Sequence, residues 1–336
     1  MAIRPRASAV TAALALGGAA LCGCACGGPD AAQAAPDAGI AGLAQSRAPV
    51  PGASRLIGEP APVRPALTLE LIDAGGEPRR RLRYAAVAGR RQRVHFKSTL
   101  TTAVAFGGKR QSRERGPDTE AWLEIEVVAA SPERLDCQVH FVRGESMVRE
   151  GTEAFADLHR RSLEWLRGPL VRFSADRRGV TEVSPFELRP ELGHDTDVDL
   201  AWVIASTAVR AVIALPDEPV GPGAHWRIDE EEHRTVSGRR TTDVELRAVR
   251  GRRVELALSR GFVVPPQLVG VQRTYLVGVS TMKAVSHGRA LVDLDRLHPL
   301  EWQVETEATL DGEGQILGEH VPASDVWSIS ESGSGR

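Results

Sequence analysis

The chain has 336 residues, a formal charge of −2 at neutral pH and 26% charged against 42% hydrophobic residues. With arginines scattered among carboxylates in so even a balance, a general nucleic-acid binder is excluded, because neutralising phosphates requires a basic face. Of the 4 cysteines, only Cys137 lies beyond residue 26, which excludes a disulfide inside a folded domain.

Arg4 and Arg6 precede an almost unbroken run of small apolar residues from 7 to 21. Charged start, apolar middle and small-residue end follow the order of a secretory signal peptide. The apolar part is shorter than the roughly 20 residues of a membrane span. Leu21-Cys22-Gly23-Cys24 resembles the lipobox of bacterial lipoproteins, in which the residue after the cut is a cysteine that takes the lipid. Cys24 has Leu21 three places before it and Gly23 immediately before it. Cys22 follows bulky Leu21, and Cys26 has Gly23 in the leucine place. The resemblance assigns residues 1–23 to a signal peptide and lipidation to Cys24, with an ordinary secretory cut near Ala25 as the alternative. Acylation anchors a protein because each buried methylene contributes about 0.8 kcal/mol. Ala25, standing where an Asp would retain a lipoprotein at the inner membrane, implies an outer membrane lipoprotein facing the periplasm or the cell surface.

Residues 24–64 are Ala, Pro and Gly with few large apolar side chains, too little to offset chain entropy, and read as a disordered tether. Residues 65–329 read as a single β-rich domain, and 330–336, Ser-Glu-Ser-Gly-Ser-Gly-Arg, as a flexible tail.

Within the domain, period-2 alternation dominates. Leu67, Leu69 and Leu71 alternate with Thr68 and Glu70, and Leu82 and Tyr84 with Arg81 and Arg83. A long strand follows, with Val94, Phe96, Ser98, Leu100, Thr102, Val104 and Phe106 on one face. Leu123, Ile125 and Val127 predict another, and Leu135, Cys137, Val139 and Phe141 a fourth. Residues 152–167 place Phe155, Leu158, Ser162, Trp165 and Leu166 on one helical stripe. Asp176, Arg177, Arg178 and Gly179 suit a type I hairpin turn. Residues 198–215 form a second helix, capped by Asp195 or Thr196 and apolar nearly all round, hence buried inside the domain. Strands resume after Trp226: a hairpin turns at Arg250 to Arg253, residues 289–295 form a strand, and Trp302, Val304, Thr306, Ala308 and Leu310 alternate with glutamates. One apolar and one polar face per strand describe an antiparallel sheet covered on a single side.

The pattern Leu166-x-Gly168, Asp176-x-x-Gly179-Val180, Leu215-Pro216-x-x-Pro219-Val220-Gly221-x-Gly223-x-x-Trp226 and Gly288-x-x-x-x-Asp293-Leu294 resembles a family of uncharacterised bacterial lipoproteins, a domain of unknown function. In pattern it is also similar to the periplasmic lipoprotein and lipid carriers LolA and mycobacterial LppX. The resemblance implies an α+β, mainly β fold: a curved antiparallel sheet, or half-barrel, wrapping one or two helices around an apolar cavity. It implies no catalytic residue.

Chemistry-bearing motifs are sparse. Gly278-Val-Ser280 lacks the second glycine of a nucleophile elbow, and Gly107-Gly-Lys109 the upstream glycine of a phosphate loop. Asp195, Asp197 and Asp199 read as capping carboxylates rather than a calcium loop, and Asp229 to His233 as a solvated turn or edge. The 9 histidines show no paired metal spacing, so no metal and no cofactor are expected. His95 and His140 fall on polar faces, and Cys137 reads as a small buried hydrophobe. Trp226, beside His225, starts a strand and packs inward, and Glu301, Glu305 and Glu307 solubilise one strand face. The expectation is a non-catalytic, membrane-anchored envelope protein that binds an apolar ligand, a lipid or a lipidated protein, between sheet and helix. An envelope scaffold with a closed core, acting through surface protein contacts, is the alternative; an uncharacterised hydrolase comes third.

Overall fold

The computed structural model describes residues 67–106, 109–110, 114–115, 118–150, 152–183, 195–233, 237–271, 275–316 and 319–335. Cys24, the expected leader and the expected tether therefore lie outside the described residues.

In chain order the elements are β1 (Thr68–Asp73), β2 (Arg91–Phe106), β3 (Lys109–Arg110), β4 (Glu114–Arg115), β5 (Asp118–Ala130), β6 (Arg134–Met147), α1 (Glu153–Trp165), β7 (Gly168–Asp176), β8 (Thr181–Val183), α2 (Asp195–Arg210), β9 (His225–His233), β10 (Ser237–Arg250), β11 (Arg253–Val264), β12 (Gln267–Val271), β13 (Tyr275–Asp293), β14 (Glu301–Ile316) and β15 (Glu319–Gly335). The strands make one antiparallel sheet in the order β1-β9-β10-β11-β13-β14-β15-β2-β5-β6-β7-β8, with β3 and β4 on β2 and β12 on β13. Two meanders are spliced where β15 pairs β2, so the end of the chain lies beside its first long strand. Among the described residues the fold is thus mainly β with two helices.

Alternation decides which face is covered. Leu123, Ile125 and Val127 of β5 and Leu135, Cys137, Val139 and Phe141 of β6 are all buried, as are Val254, Leu256 and Leu258 of β11. These side chains join Trp226 of β9, Phe173 of β7 and Ile204 of α2 in one continuous core, so strands near both ends of the order feed the same interior. Both hairpins form where turn chemistry predicts them. Asp176 Oδ1 accepts from the backbone N–H of Arg178 and of Val180, both at 2.9 Å, and Gly179 sits at φ +84°. Arg250 pairs with Arg253 around Gly251 at φ +60°.

Four expectations need correction. Residues 330–335 are not a tail but the second half of β15, paired on both sides with β14 and β2. Their serines and glycines carry no apolar alternation, yet Gly333 is required there: a Cβ on it would stand 1.9 Å from the Trp302 ring. Trp165, placed on the apolar stripe of α1, is 60% exposed, because the helix is in its last turn there and Leu166 takes the buried position.

The second helix stops at Arg210, and the apolar run continues as a buried, non-helical segment. Pro216 disfavours a helical Leu215, and carbonyls freed by the early stop find partners at once. Tyr84 Oη donates to Ile213 O at 3.0 Å, and Trp226 Nε1 to Ala214 O at 2.9 Å. Leu215 N–H donates to Arg178 O at 2.7 Å, which ties the segment to the β7–β8 turn. Leu82 and Tyr84 are fully buried as alternation requires, but they lie between β1 and β2 rather than in a strand; Tyr84 N–H bonds Arg177 O at 2.8 Å. Arg177 reinforces the same junction, donating to the carbonyls of Ser131, Tyr84 and Ala86. Tyr84→Phe leaves the Ile213 carbonyl buried without that donor and is expected to cost about 1–3 kcal/mol, read as a lower urea midpoint at unchanged slope.

Candidate functional site

Cross-strand register lines up polar residues on the buried face. Thr242, Arg260, Ser286 and Thr306 are successive neighbours across β10, β11, β13 and β14. One step along β15, Glu331 continues the row through Ser98 of β2, Thr119 of β5 and Ser146 of β6. Ser98, Thr119 and Ser146 are buried, and the Thr119 and Ser146 hydroxyls find no partner among the described residues. Thr306 Oγ1 donates to Ser286 Oγ at 2.9 Å.

This polar belt borders a hollow between the C-terminal end of α2 and the sheet, with a volume of about 90 Å³. Its apolar wall includes Leu258, Phe262, Ala284, Trp302, Val304 and Ile329. Its polar wall brings together Arg210 of α2, Arg240 of β10, Arg260 of β11 and Glu331 of β15, with Ser206 and Thr207. Arg240 stands 5.5 Å over the Phe262 ring and 3.8 Å from Glu230. The side chains of Arg260 and Glu331 make no hydrogen bond or close ion pair among the described residues, although they line the same space and act on one another through it.

Both groups register the low polarizability around them. Burial pushes the Glu331 carboxyl up to about 7, against the opposing pull of Arg260, Arg210 and Arg240. Burial, helped by the Arg240 charge, brings the Arg260 guanidinium down to about 10, so it stays charged at neutral pH. With Glu331 ionised, three arginines face one carboxylate across the hollow. Buried charge without close compensation is costly, and a guanidinium cluster is matched to a carboxylate or phosphate that it can grip through paired N–H groups.

The residues singled out by sequence do not converge on this hollow. Cys137 is 2% exposed and its thiol is pushed up to about 12 by burial, as befits a packed hydrophobe. Trp226, the second residue of β9, lies in the core, while His225 points outward, 3.4 Å from Glu245. Asp229 to His233 continue β9, whose outer neighbour β1 covers it only as far as Asp229. Glu301, Glu305 and Glu307 are exposed on β14. His95 stacks on Trp122 at 4.6 Å and bonds Glu120 at 2.9 Å. Gly278 to Ser280 lie within β13, and Asp195, Asp197 and Asp199 occupy the first turns of α2, where the described side chains do not extend. Gly107 and Gly108 lie outside the described residues. Among the described residues, no three His, Cys, Asp or Glu side chains converge as metal ligands.

Arg260 was legible: in Leu256, Leu258, Arg260, Phe262 and Val264, it occupies an apolar slot of the alternation. Glu331 was hidden by the composition of its strand. A second, polar depression of about 470 Å³, among Arg250, Arg252, Arg253, Glu255, Asp293 and Asp295, lies at the β10–β11 hairpin. Two of its three arginines are paired locally, Arg252 with Asp295 at 2.9 Å and Arg250 with Glu255 at 3.7 Å.

No family model and no curated protein matches the chain. Among solved structures, an outer membrane channel of Pseudomonas putida F1 aligns over 75% of this chain and 97% of that one, at 6% identity and a TM-score of 0.23. At that score the likeness indicates neither fold nor activity. Among the described residues, no helix is long and apolar enough to cross a membrane.

Proposed function

We propose that this is a membrane-anchored envelope lipoprotein, held by lipid on Cys24, whose β domain is a non-catalytic binding module for an amphiphilic ligand seated between α2 and the sheet. The sheet is read as a half-barrel of the LolA or LppX kind wrapping α2. That reading is supported by the shared core, to which β7 and β9, near opposite ends of the strand order, both contribute. The observation carrying the binding role is a hollow with one apolar wall and one charged wall on a face that is otherwise covered mainly by hydrophobes. A closed core would place an aliphatic side chain where Arg260 stands.

The domain is read as attached to the membrane rather than spanning it. Among the exposed outward positions of β13 and β14, Lys283, His287, Arg289, Glu301, Gln303, Glu305 and Glu307 are charged or polar, with Val285 an apolar one between them. A spanning barrel turns an apolar band toward lipid. Cys24→Ala is expected to move the protein from the membrane to the soluble fraction on cell fractionation.

The hollow's 90 Å³ favours a second reading. Ligand pockets are typically about 300–1,000 Å³, and a smaller space suits a scaffold with a closed core. Native mass spectrometry of detergent-free, full-length protein followed by organic extraction separates the two. Bound lipid, or uptake on incubation with lipid, supports the binding module; a clean protein mass with no uptake supports the scaffold.

A further inference from the structure

We propose that the hollow recognises the anionic end of its ligand, a carboxylate or a phosphate gripped by Arg210, Arg240 and Arg260, while the ligand's apolar part lies against Phe262, Ala284 and Ile329. This rests on the binding reading above and adds the class of ligand.

Three features carry it. First, the guanidinium-bearing residues come from three separate elements, α2, β10 and β11, and meet only in this space. Side chains on one strand face could be merely solubilising; side chains gathered from three elements onto a buried face are not. Second, Arg260 has no ion-pair partner among the described residues, and Glu331, the carboxylate of the same wall, does not pair with it. Glu331 and Glu230 act on Arg260 only through space, and an incoming anion adds a close counter-charge to theirs. Third, the size fits. About 90 Å³ admits a carboxylate or phosphate with its first few carbons, but not a whole lipid, so the chain leaves through the open side. The hydroxyls of Ser206, Thr207, Ser286 and Thr306 border the same wall as further hydrogen-bonding groups.

Glu331 tunes the site. The charged groups facing it are Arg260 from β11, Arg240 from β10 and Arg210 from α2, with Glu230 of β9 beyond Arg240. As the carboxylate it competes with the ligand for the arginines; as the neutral acid it does not. Anion affinity therefore rises as pH falls through neutrality.

The test is calorimetric titration of delipidated full-length protein, below the micelle concentration, with laurate, dodecanol, dodecyltrimethylammonium and inorganic phosphate. Laurate is expected to bind at least about tenfold more tightly than dodecanol, and the ammonium amphiphile most weakly. Arg260→Met should bring laurate down to the alcohol's affinity, Arg260→Lys should keep most of the preference, and Glu331→Gln should raise laurate affinity and flatten its pH dependence. Equal binding of laurate and dodecanol overturns the proposal and leaves the binding module standing. Phosphate binding as tight as laurate overturns the amphiphile part, leaving an anion site alone. No uptake of any of the three amphiphiles overturns the binding module itself.

Discussion

Relative to the wild type, acidification from about pH 7 to about pH 4 is expected to stabilise His298→Phe by about 3 kcal/mol and to destabilise Glu331→Gln. His298 is 1% exposed, its ring edge-on to Trp302 at 4.8 Å. Its Nδ1 lies 3.3 Å from Pro299 O, and its Nε2 has no partner among the described residues. Nδ1 is then the protonated nitrogen of a neutral ring, and burial holds the group down to about 4 from its ordinary 6.5. On acidification the unfolded chain takes up this proton first. The stability present above pH 6.5 is therefore lost as pH falls toward 4.

Glu331 carries the opposite sign. Its folded value of about 7 exceeds the ordinary 4.5, so the folded state binds the proton first, and stability rises as pH falls through that window. The gain is smaller than for His298, because the carboxyl lines a hollow open to solvent. Other titrating groups are common to the three proteins and cancel in the comparison. The backbone bonds of Gln92 to His298, at 2.8 Å and 3.3 Å, do not involve the ring and survive the Phe substitution. Urea midpoints across the range give the answer; a His298→Phe protein whose midpoint tracks the wild type at every pH would mean that His298 is not held neutral.

Truncation after Ile329 is expected to unfold the domain or leave it aggregating. Residues 330–335 face β14 from Ser330 opposite Glu305 to Ser334 opposite Glu301, and face β2 from Ser330 opposite Thr99 to Gly335 opposite Val94. Removing them strips two ladders at once. At about 1 kcal/mol per net hydrogen bond, a loss near 5 kcal/mol approaches the whole stability of a typical domain. It also exposes the Trp302 ring that lies over Gly333 and leaves the inner edges of β2 and β14 open for pairing with other chains. Gly333→Val, which drives a side chain into that ring, should show a milder form of the same defect. A truncated protein with the wild-type urea midpoint would restore the view of these residues as a tail.

The strands were legible wherever a single face was apolar. Val94 and Phe96, Leu123 to Val127, Leu135 to Phe141 and Trp302 to Leu310 report their own burial, because strand periodicity is a property of neighbours in sequence. The two hairpin turns were legible for the same reason, since Asp176, Gly179 and Gly251 act within a few residues. The end of α2 was less so. Residues 211–215 remain as apolar as the helix before them, and only the donors Tyr84 and Trp226, distant in sequence, make a non-helical course favourable.

By itself, then, the amino-acid order determined the class of fold, the face of each apolar strand and the character of Cys137 and Trp226 as core residues. Strand order was beyond it, and with it the candidate site. Arg260 and Glu331 belong to strands separated by β13 and β14, and Arg210 reaches them from a helix on the other side of the hollow. Periodicity marks Arg260 as a charge in an apolar slot but says nothing of which other charges meet it through nonlocal pairing, and a Ser/Gly strand is chosen by the Trp302 ring packed against it rather than by any propensity of its own.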